Sequence, residues 1–255
     1  MSTGPLVIKF GGTSLGSPAR IRRAARRVAA HLRRGRQTVV VVSAMGSATD
    51  RIVRLLASVS GGRPDGREAD RALATGEELS AALLAAALAG LGIHARSLRG
   101  GEAGVWAEGG FCGGQIEDVD PAPLRRLLAA GTVPVVAGFQ AVRDDGETVT
   151  LGRGGSDTSA VAIAAALGPA ECHIVTDVSA VHDRDPRLHA DARPIREIDP
   201  LALVVLAEGG AQVVHPTAAR LALERGVPLR VYHHRAPLSG GGGTLVRTTR
   251  ALEAA

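Results

Sequence analysis

Short runs of β-branched and other apolar residues alternate with Ala- and Leu-rich helical stretches from one end of this 255-residue chain to the other. That alternation restricts the fold more than any other feature. Strands that are apolar on both sides must be covered on both faces, and a helix between two strands makes their connection parallel. The pattern predicts strands at 6–10, 38–43, 95–98, 133–136, 173–176, 229–232 and 244–247. Helices are expected at 19–34, 68–91, 122–130, 156–167, 201–208 and 216–224, with Ser156 or Asp157 as the cap of the fourth. A β-hairpin is expected at 141–150 around the turn Asp144-Asp145-Gly146. Together these predict one α/β domain over 1–255, a three-layer αβα sandwich around a central, mainly parallel sheet. The segment 239–243, Ser followed by four Gly, reads as a flexible connector, and the chain beyond Thr248 should fray.

Composition narrows the class further. Hydrophobic residues make up 45% and aromatics only 2%, so the core must be built from Ala, Val, Leu and Ile. No apolar run approaches the roughly 20 residues that span a bilayer, and Met1-Ser2-Thr3-Gly4-Pro5 is not a signal peptide, so a cytoplasmic protein is expected. The two cysteines, Cys112 and Cys172, lack C-x-x-C spacing; each is expected to be buried or half-buried, with neither a disulfide nor a metal site. A net charge of +5 and a pI near 10.4 raise the question of nucleic acid. The densest basic stretch, Arg20 to Arg36, interleaves Ile21, Val28 and Leu32, which is the pattern of a solvated helix face, and stacking aromatics are missing. Neither nucleic acid nor a membrane is expected as a partner.

One lysine stands among the 30 basic residues, Lys9 in Val7-Ile8-Lys9-Phe10-Gly11-Gly12-Thr13-Ser14. A chain that uses arginine elsewhere and keeps lysine here points to a place where a compact ammonium does what a planar fork cannot, typically phosphate contact. Gly11 and Gly12 let backbone approach a ligand, and Thr13 and Ser14 offer hydroxyls and a helix cap. A second glycine-rich turn, Gly152-Arg153-Gly154-Gly155, opens a helix through Ser156 and Asp157. Arg153 there can grip a carboxylate or phosphate, and Asp157 is either a cap or a catalytic carboxylate. A third signal, Thr176-Asp177 running to Asp185-Pro186-Arg187, follows a strand, where open α/β sheets place ligands. Among the histidines, His215 before Pro216 reads as structural. His233 and His234, as neighbours on a strand, should face opposite ways and not chelate together.

Taken in order, these runs resemble the aspartokinase branch of the amino acid kinase family, from Lys9 to Thr244. The resemblance is carried by Lys9 to Ser14, Val42-Ser43-Ala44-Met45-Gly46 with Thr49-Asp50, Ala74-Thr75-Gly76-Glu77, Ala137-Gly138-Phe139-Gln140, the run 151–157, Thr176-Asp177 with Asp185-Pro186-Arg187, and Val214-His215-Pro216. It implies an ATP- and Mg²⁺-dependent kinase that makes an acyl phosphate on the side-chain carboxylate of L-aspartate. Lys9 and Asp157 would be catalytic, Lys9 bridging the β- and γ-phosphates and Asp157 organising Lys9 and the magnesium-bound phosphates. Gly11, Gly12 and Ser14 would line the phosphate path. Ser43, Thr49, Glu77, Arg153 and Ser156 would hold the acceptor, with Glu77 on its ammonium and Arg153 on a carboxylate. Thr176, Asp177, His182, Arg187 and Gln212 would contact the nucleotide. The chain departs from the family where Ala180 replaces a usual Gly, His182 a Tyr and Gln212 a Lys. The resemblance also implies an acceptor-binding half at about 1–149, a nucleotide-binding half at about 150–248, and no ACT regulatory domain in this chain. A homo-oligomer is expected, and a separate regulatory chain is a further candidate partner. The other readings are a kinase of the same fold for another small acid and a catalytically weak ligand-binding homologue.

Overall fold

The computed structural model describes residues 4–168, 170–184, 189, 191–210, 213–238 and 242–247. In chain order the first half contains β1 (Leu6–Phe10), α1 (Gly12–Leu15), α2 (Pro18–Leu32), β2 (Thr38–Val42), α3 (Ala48–Val59), α4 (Gly66–Ala89), β3 (Ala95–Leu98), β4 (Val105–Glu108), β5 (Gln115–Val119), α5 (Ala122–Ala129) and β6 (Val133–Ala137). The second half contains β7 (Gln140–Val142), β8 (Thr148–Thr150), α6 (Gly155–Leu167), β9 (Glu171–Thr176), β10 (Glu197–Ile198), α7 (Pro200–Glu208), α8 (Pro216–Glu224), β11 (Leu229–His233) and β12 (Thr244–Val246).

Eight strands form the central sheet in the order β10-β12-β11-β9-β1-β2-β6-β3. All neighbours are parallel except β11 and β12. Side chains alternate across a strand, so the fully buried β1 feeds two cores. Leu6, Ile8 and Phe10, with Val40 and Val42 of β2, pack against Ile21, Ala24, Ala25 and Val28 of α2 and Leu84 and Leu88 of α4. Val7, with Val39 and Val41, faces the opposite way onto α5, α6 and α8. The expected αβα sandwich is therefore present, and its thin layers match a core in which small aliphatic side chains replace aromatics.

Local chemistry sets the helix starts. Ser17 accepts the Arg20 amide at 3.3 Å ahead of Pro18, and Asp65 accepts the amides of Arg67 and Glu68 at 3.0 and 3.2 Å at the head of α4. Asp199 does the same for α7, accepting the Leu201 amide at 2.9 Å. The cap expected for α6 is not Ser156 or Asp157 but Gly154, whose φ of 74° turns the chain into the helix. Likewise Thr13 and Ser14 do not cap α1; Gly11 holds that position without a side-chain bond.

The structure adds two features the pattern did not predict. Helix α3 has no buried residue, and a second, four-stranded sheet runs β5-β4-β7-β8. The predicted hairpin is its β7–β8 pair, and the sheet packs against α4 and α6. By length and composition α4 is long and apolar enough to cross a membrane, contrary to the expectation that no run is. Its inner face instead packs on β2, β3 and β6 and carries Asp70 and Glu77, which makes it a core helix.

Candidate active site

The parallel strands β9, β1, β2 and β6 end side by side, and their backbone pairing continues past those ends. Gly11 donates to the Val175 carbonyl at 3.1 Å, Ser43 to Phe10 at 3.1 Å and Gly138 to Val42 at 3.0 Å. This is the edge of an α/β sheet where loops converge and ligands sit. Gly12 packs its α-carbon onto the Ala44–Gly46 turn: a Cβ there would lie 2.6 Å from the Ala44 carbonyl oxygen, closer than contact allows. Ser14, nearly fully buried, donates its hydroxyl to the Val175 carbonyl at 3.2 Å.

Lys9 reaches across this edge to Asp157, with Nζ 2.7 Å from Oδ1 and each side chain 12% exposed. With Gly154 as the cap, Asp157 in the first turn of α6 is left to face the lysine. Its Oδ2 accepts the His215 amide at 3.4 Å. The His215 ring lies so close to Gly154 that a Cβ on that glycine would sit 2.0 Å from it. A pair this shielded from water is held tightly, and removing either member leaves an uncompensated charge.

Glu77, in the middle of α4, is 3% exposed. Its Oε1 accepts the Ala44 amide at 2.8 Å, whereas Oε2 is buried without a partner. Burial pushes the carboxyl up to about 7, although the Ala44 amide and the charge of Lys9 pull the other way. A cation placed against Oε2 would ionise it. Gly76 lets α4 approach the same turn, since a Cβ there would meet that of Ala44 at 2.8 Å and Ile52 of α3 at 3.7 Å. Thr49 lies half-buried in the first turn of α3. Ser156 is buried behind Gly138, 3.0 Å from where a Cβ would stand.

The structure thus brings Lys9, Gly11, Gly12, Ser14, Ser43, Glu77, Ser156 and Asp157 to one edge. Thr176 and Asp177 follow at the end of β9, the Thr176 hydroxyl donating to Asp177 at 3.2 Å. His182 is half-buried, its Nδ1 3.0 Å from the Ala180 carbonyl oxygen. Arg187 and Gln212 lie outside the described residues, as do most of the 239–243 connector and everything beyond Arg247. Arg153 is exposed and lines a cavity of about 790 Å³ between β5, α6 and α8, with Gly114, Gln115, Thr158 and Arg220. Lys9, Asp157 and Glu77 do not line that cavity, so this hollow is not where the paired charges meet.

Other expectations are corrected. Cys112 is exposed, whereas Cys172 is fully buried in β9 with its thiol pushed well up by burial. The rings of His233 and His234 do not diverge; they stack at 4.2 Å, because β11 ends at His233 and the next residue enters a turn. Among the described residues, no group of three or more His, Cys, Asp or Glu side chains could hold a metal ion. Sequence reasoning missed the Ala44 amide that anchors Glu77, because a backbone donor 33 residues away leaves no mark on composition.

Comparison with known proteins agrees with this geometry. The amino acid kinase family model matches residues 4–233. Over 250 residues the chain is 45% identical to an aspartokinase of Geobacillus stearothermophilus, covering 98% of this chain and 60% of that relative. Among solved structures, aspartate kinase from Synechocystis superposes with a TM-score of 0.82 at 41% identity, over 97% of this chain and 40% of that one. E. coli aspartokinase III in complex with aspartate and ADP gives 0.83 at 25% identity, over 96% and 65%. The chain therefore spans about 60% of the length of the curated relatives it matches. With the family model matched over residues 4–233 and the fold shared with these structures, this chain belongs to the amino acid kinase family.

Proposed function

We propose that the chain transfers the γ-phosphoryl group of ATP to the side-chain carboxylate of L-aspartate, giving 4-phospho-L-aspartate. The observation that carries this reading is the unpartnered Oε2 of Glu77 on the same strand edge as the Lys9–Asp157 pair. It offers a seat for an ammonium within the field of a phosphate-binding lysine. The names of the aspartokinase relatives and the aspartate and ADP in the E. coli complex support the choice of substrates.

Phosphoryl transfer between two anions asks the protein for alignment and charge cancellation more than for covalent chemistry. Lys9 holds the β- and γ-phosphates beside the close-packed Gly11 and Gly12, and Asp157 keeps its ammonium aimed. Glu77 takes the acceptor ammonium, Arg153 a carboxylate, and Ser43, Thr49 and Ser156 line the space between. Thr176, Asp177 and His182, with Arg187 and Gln212, serve the nucleotide in the half after about residue 150. The donor set fits Mg²⁺ carried on the nucleotide rather than a resident ion, since one carboxylate, Asp157, faces the phosphate path and magnesium is commonly held by one or two carboxylates plus phosphate oxygens. When bound, the ion neutralises charge developing on the transferred group.

Incubation with MgATP and a panel of amino acids, with hydroxylamine to trap acyl phosphate, tests the proposal. Hydroxamate from aspartate alone is expected. Hydroxamate from another acid would move the assignment to that acceptor, and ATP binding without any hydroxamate would leave a ligand-binding homologue.

A further inference from the structure

Asp70 is a fully buried carboxylate to which none of the roles above is assigned. It precedes Glu77 by seven residues on α4, two turns away on the same inward face. Its Oδ1 accepts the Thr150 hydroxyl at 2.5 Å, and its Oδ2 accepts the Cys112 amide at 2.8 Å. The two partners belong to different segments. Thr150 ends β8 and leads directly into the turn that carries Arg153. Cys112 lies between β4 and β5 with a φ of 64°, a left-handed conformation that a side chain disfavours. Gly114 donates to the Thr150 carbonyl at 2.9 Å and so joins the two segments to each other. Gln140 ties the same sheet to α4 again, donating to the Ala74 carbonyl at 3.1 Å.

A buried carboxylate is costly unless its acceptors are used, and here each oxygen takes one donor from a different segment. An alanine in its place would leave both donors without their acceptor, whereas an asparagine could keep both contacts, its Oδ1 accepting the Cys112 N–H and its NH₂ donating to a Thr150 hydroxyl turned to accept. We propose that Asp70 is a positioning residue that fixes the Arg153 turn against the helix bearing Glu77, and so sets the span between the groups for the two ends of the acceptor amino acid. The inference rests on the acceptor roles proposed above for Glu77 and Arg153.

The chain carries its own reporter for the clamp. Cys112 is exposed and Cys172 fully buried, so a thiol reagent reads Cys112. Burial and the adjacent Asp70 hold that thiol above its ordinary value. In Asp70→Ala we expect faster labelling of Cys112 by a disulfide reagent and an acceptor KM raised about tenfold or more, the scale of losing a hydrogen bond to an ionised group. The ATP KM should stay within about twofold. A folded Ala variant that labels faster yet keeps the wild-type acceptor KM overturns the proposal, since the clamp would then be released without consequence for the acceptor. An equal rise in both KM values overturns it as well, because that is what general loosening produces. Should Asp70→Ala not fold, Thr150→Val removes only the hydroxyl, and the same KM outcomes decide. Wild-type protein that phosphorylates no amino acid strikes the functional proposal, and this inference falls with it; wild-type turnover with an unmoved KM strikes the inference alone.

Discussion

Lys9 and Asp157 illustrate how a residue becomes legible from sequence when its neighbours are glycines. The lone lysine beside Gly11-Gly12 stood out, whereas for the acid after Gly154-Gly155 spacing alone favoured a helix cap; the structure joins the two at 2.7 Å. Glu77 was visible only through its resemblance to a family motif, and the reason it matters, an oxygen buried without a partner, is a property of packing. Two expectations follow at this scale. Lys9→Arg should cost about 100-fold or more in kcat, the scale seen when one charge-stabilising donor is lost, because a planar guanidinium cannot put a compact point charge where Nζ stands, 2.7 Å from Asp157. Stopped assays of acyl phosphate check this, and near-normal turnover would remove the phosphate role of Lys9. Glu77 with a pKa of about 7 is partly neutral at neutral pH, and the acceptor ammonium needs it ionised. The acceptor KM should therefore fall as pH rises from 6 towards 8 and then level off, whereas Glu77→Gln should show a higher KM without that slope. The stability sign is opposite: an acid whose pKa rises on folding binds more protons when folded, so its contribution declines as pH climbs from about 4.5 to about 7.

Elements were legible in proportion to how completely they are buried. β1, β2, β6 and β9 read as strands because both faces meet helices, which forces unbroken β-branched runs such as Thr38–Val42. The β4–β5 half of the small sheet escaped because β4 alternates buried and exposed residues over only four positions, and β5 carries the exposed Glu117 and Asp118. Helix α3 was missed although Ile52, Leu55, Leu56 and Val59 recur at helical spacing; the helix lies against α4 with none of its residues fully buried. The glycine-rich turn before α6 shows what an element boundary costs. Gly152 and Gly154 share a left-handed φ, 68° and 74°, but a Cβ at Gly152 meets nothing within 4 Å while one at Gly154 strikes the His215 ring. Gly152→Ala should cost about 1–2 kcal/mol of backbone strain alone. Gly154→Ala should cost clearly more and depress activity, since His215 and Asp157 must move. Urea unfolding and initial rates on both variants test this, and equal losses would show that the His215 contact is not what demands glycine.

At the scale of the whole molecule, the two halves of the central sheet meet at the β1–β9 pair, and the buried charges lie either at its carboxyl edge or beneath it. Beneath it, His31 and His173 meet edge to face at 5.6 Å, and burial lowers His31 to about 4 and His173 in the same direction. A histidine kept neutral by folding lets the unfolded chain bind the extra proton, so stability should drop as pH falls from about 6.5 to about 4. His31 Nε2 has no partner to lose. His31→Phe should therefore flatten that part of the stability profile, by up to about 3 kcal/mol at its acid end. Chemical denaturation across this range checks it, and an unchanged acid slope would mean that His31 is not the group responsible. The central claim concerns the other edge: that aspartate binds with its ammonium on Glu77. It is tested most directly by calorimetric titration of aspartate at pH 7 into protein holding a non-hydrolysable ATP analogue with Mg²⁺, in two buffers of different ionisation heat. A Glu77 pKa of about 7 predicts release of about half a proton per aspartate bound, abolished in Glu77→Gln. Binding with no proton release, or with the same release in the variant, would contradict it.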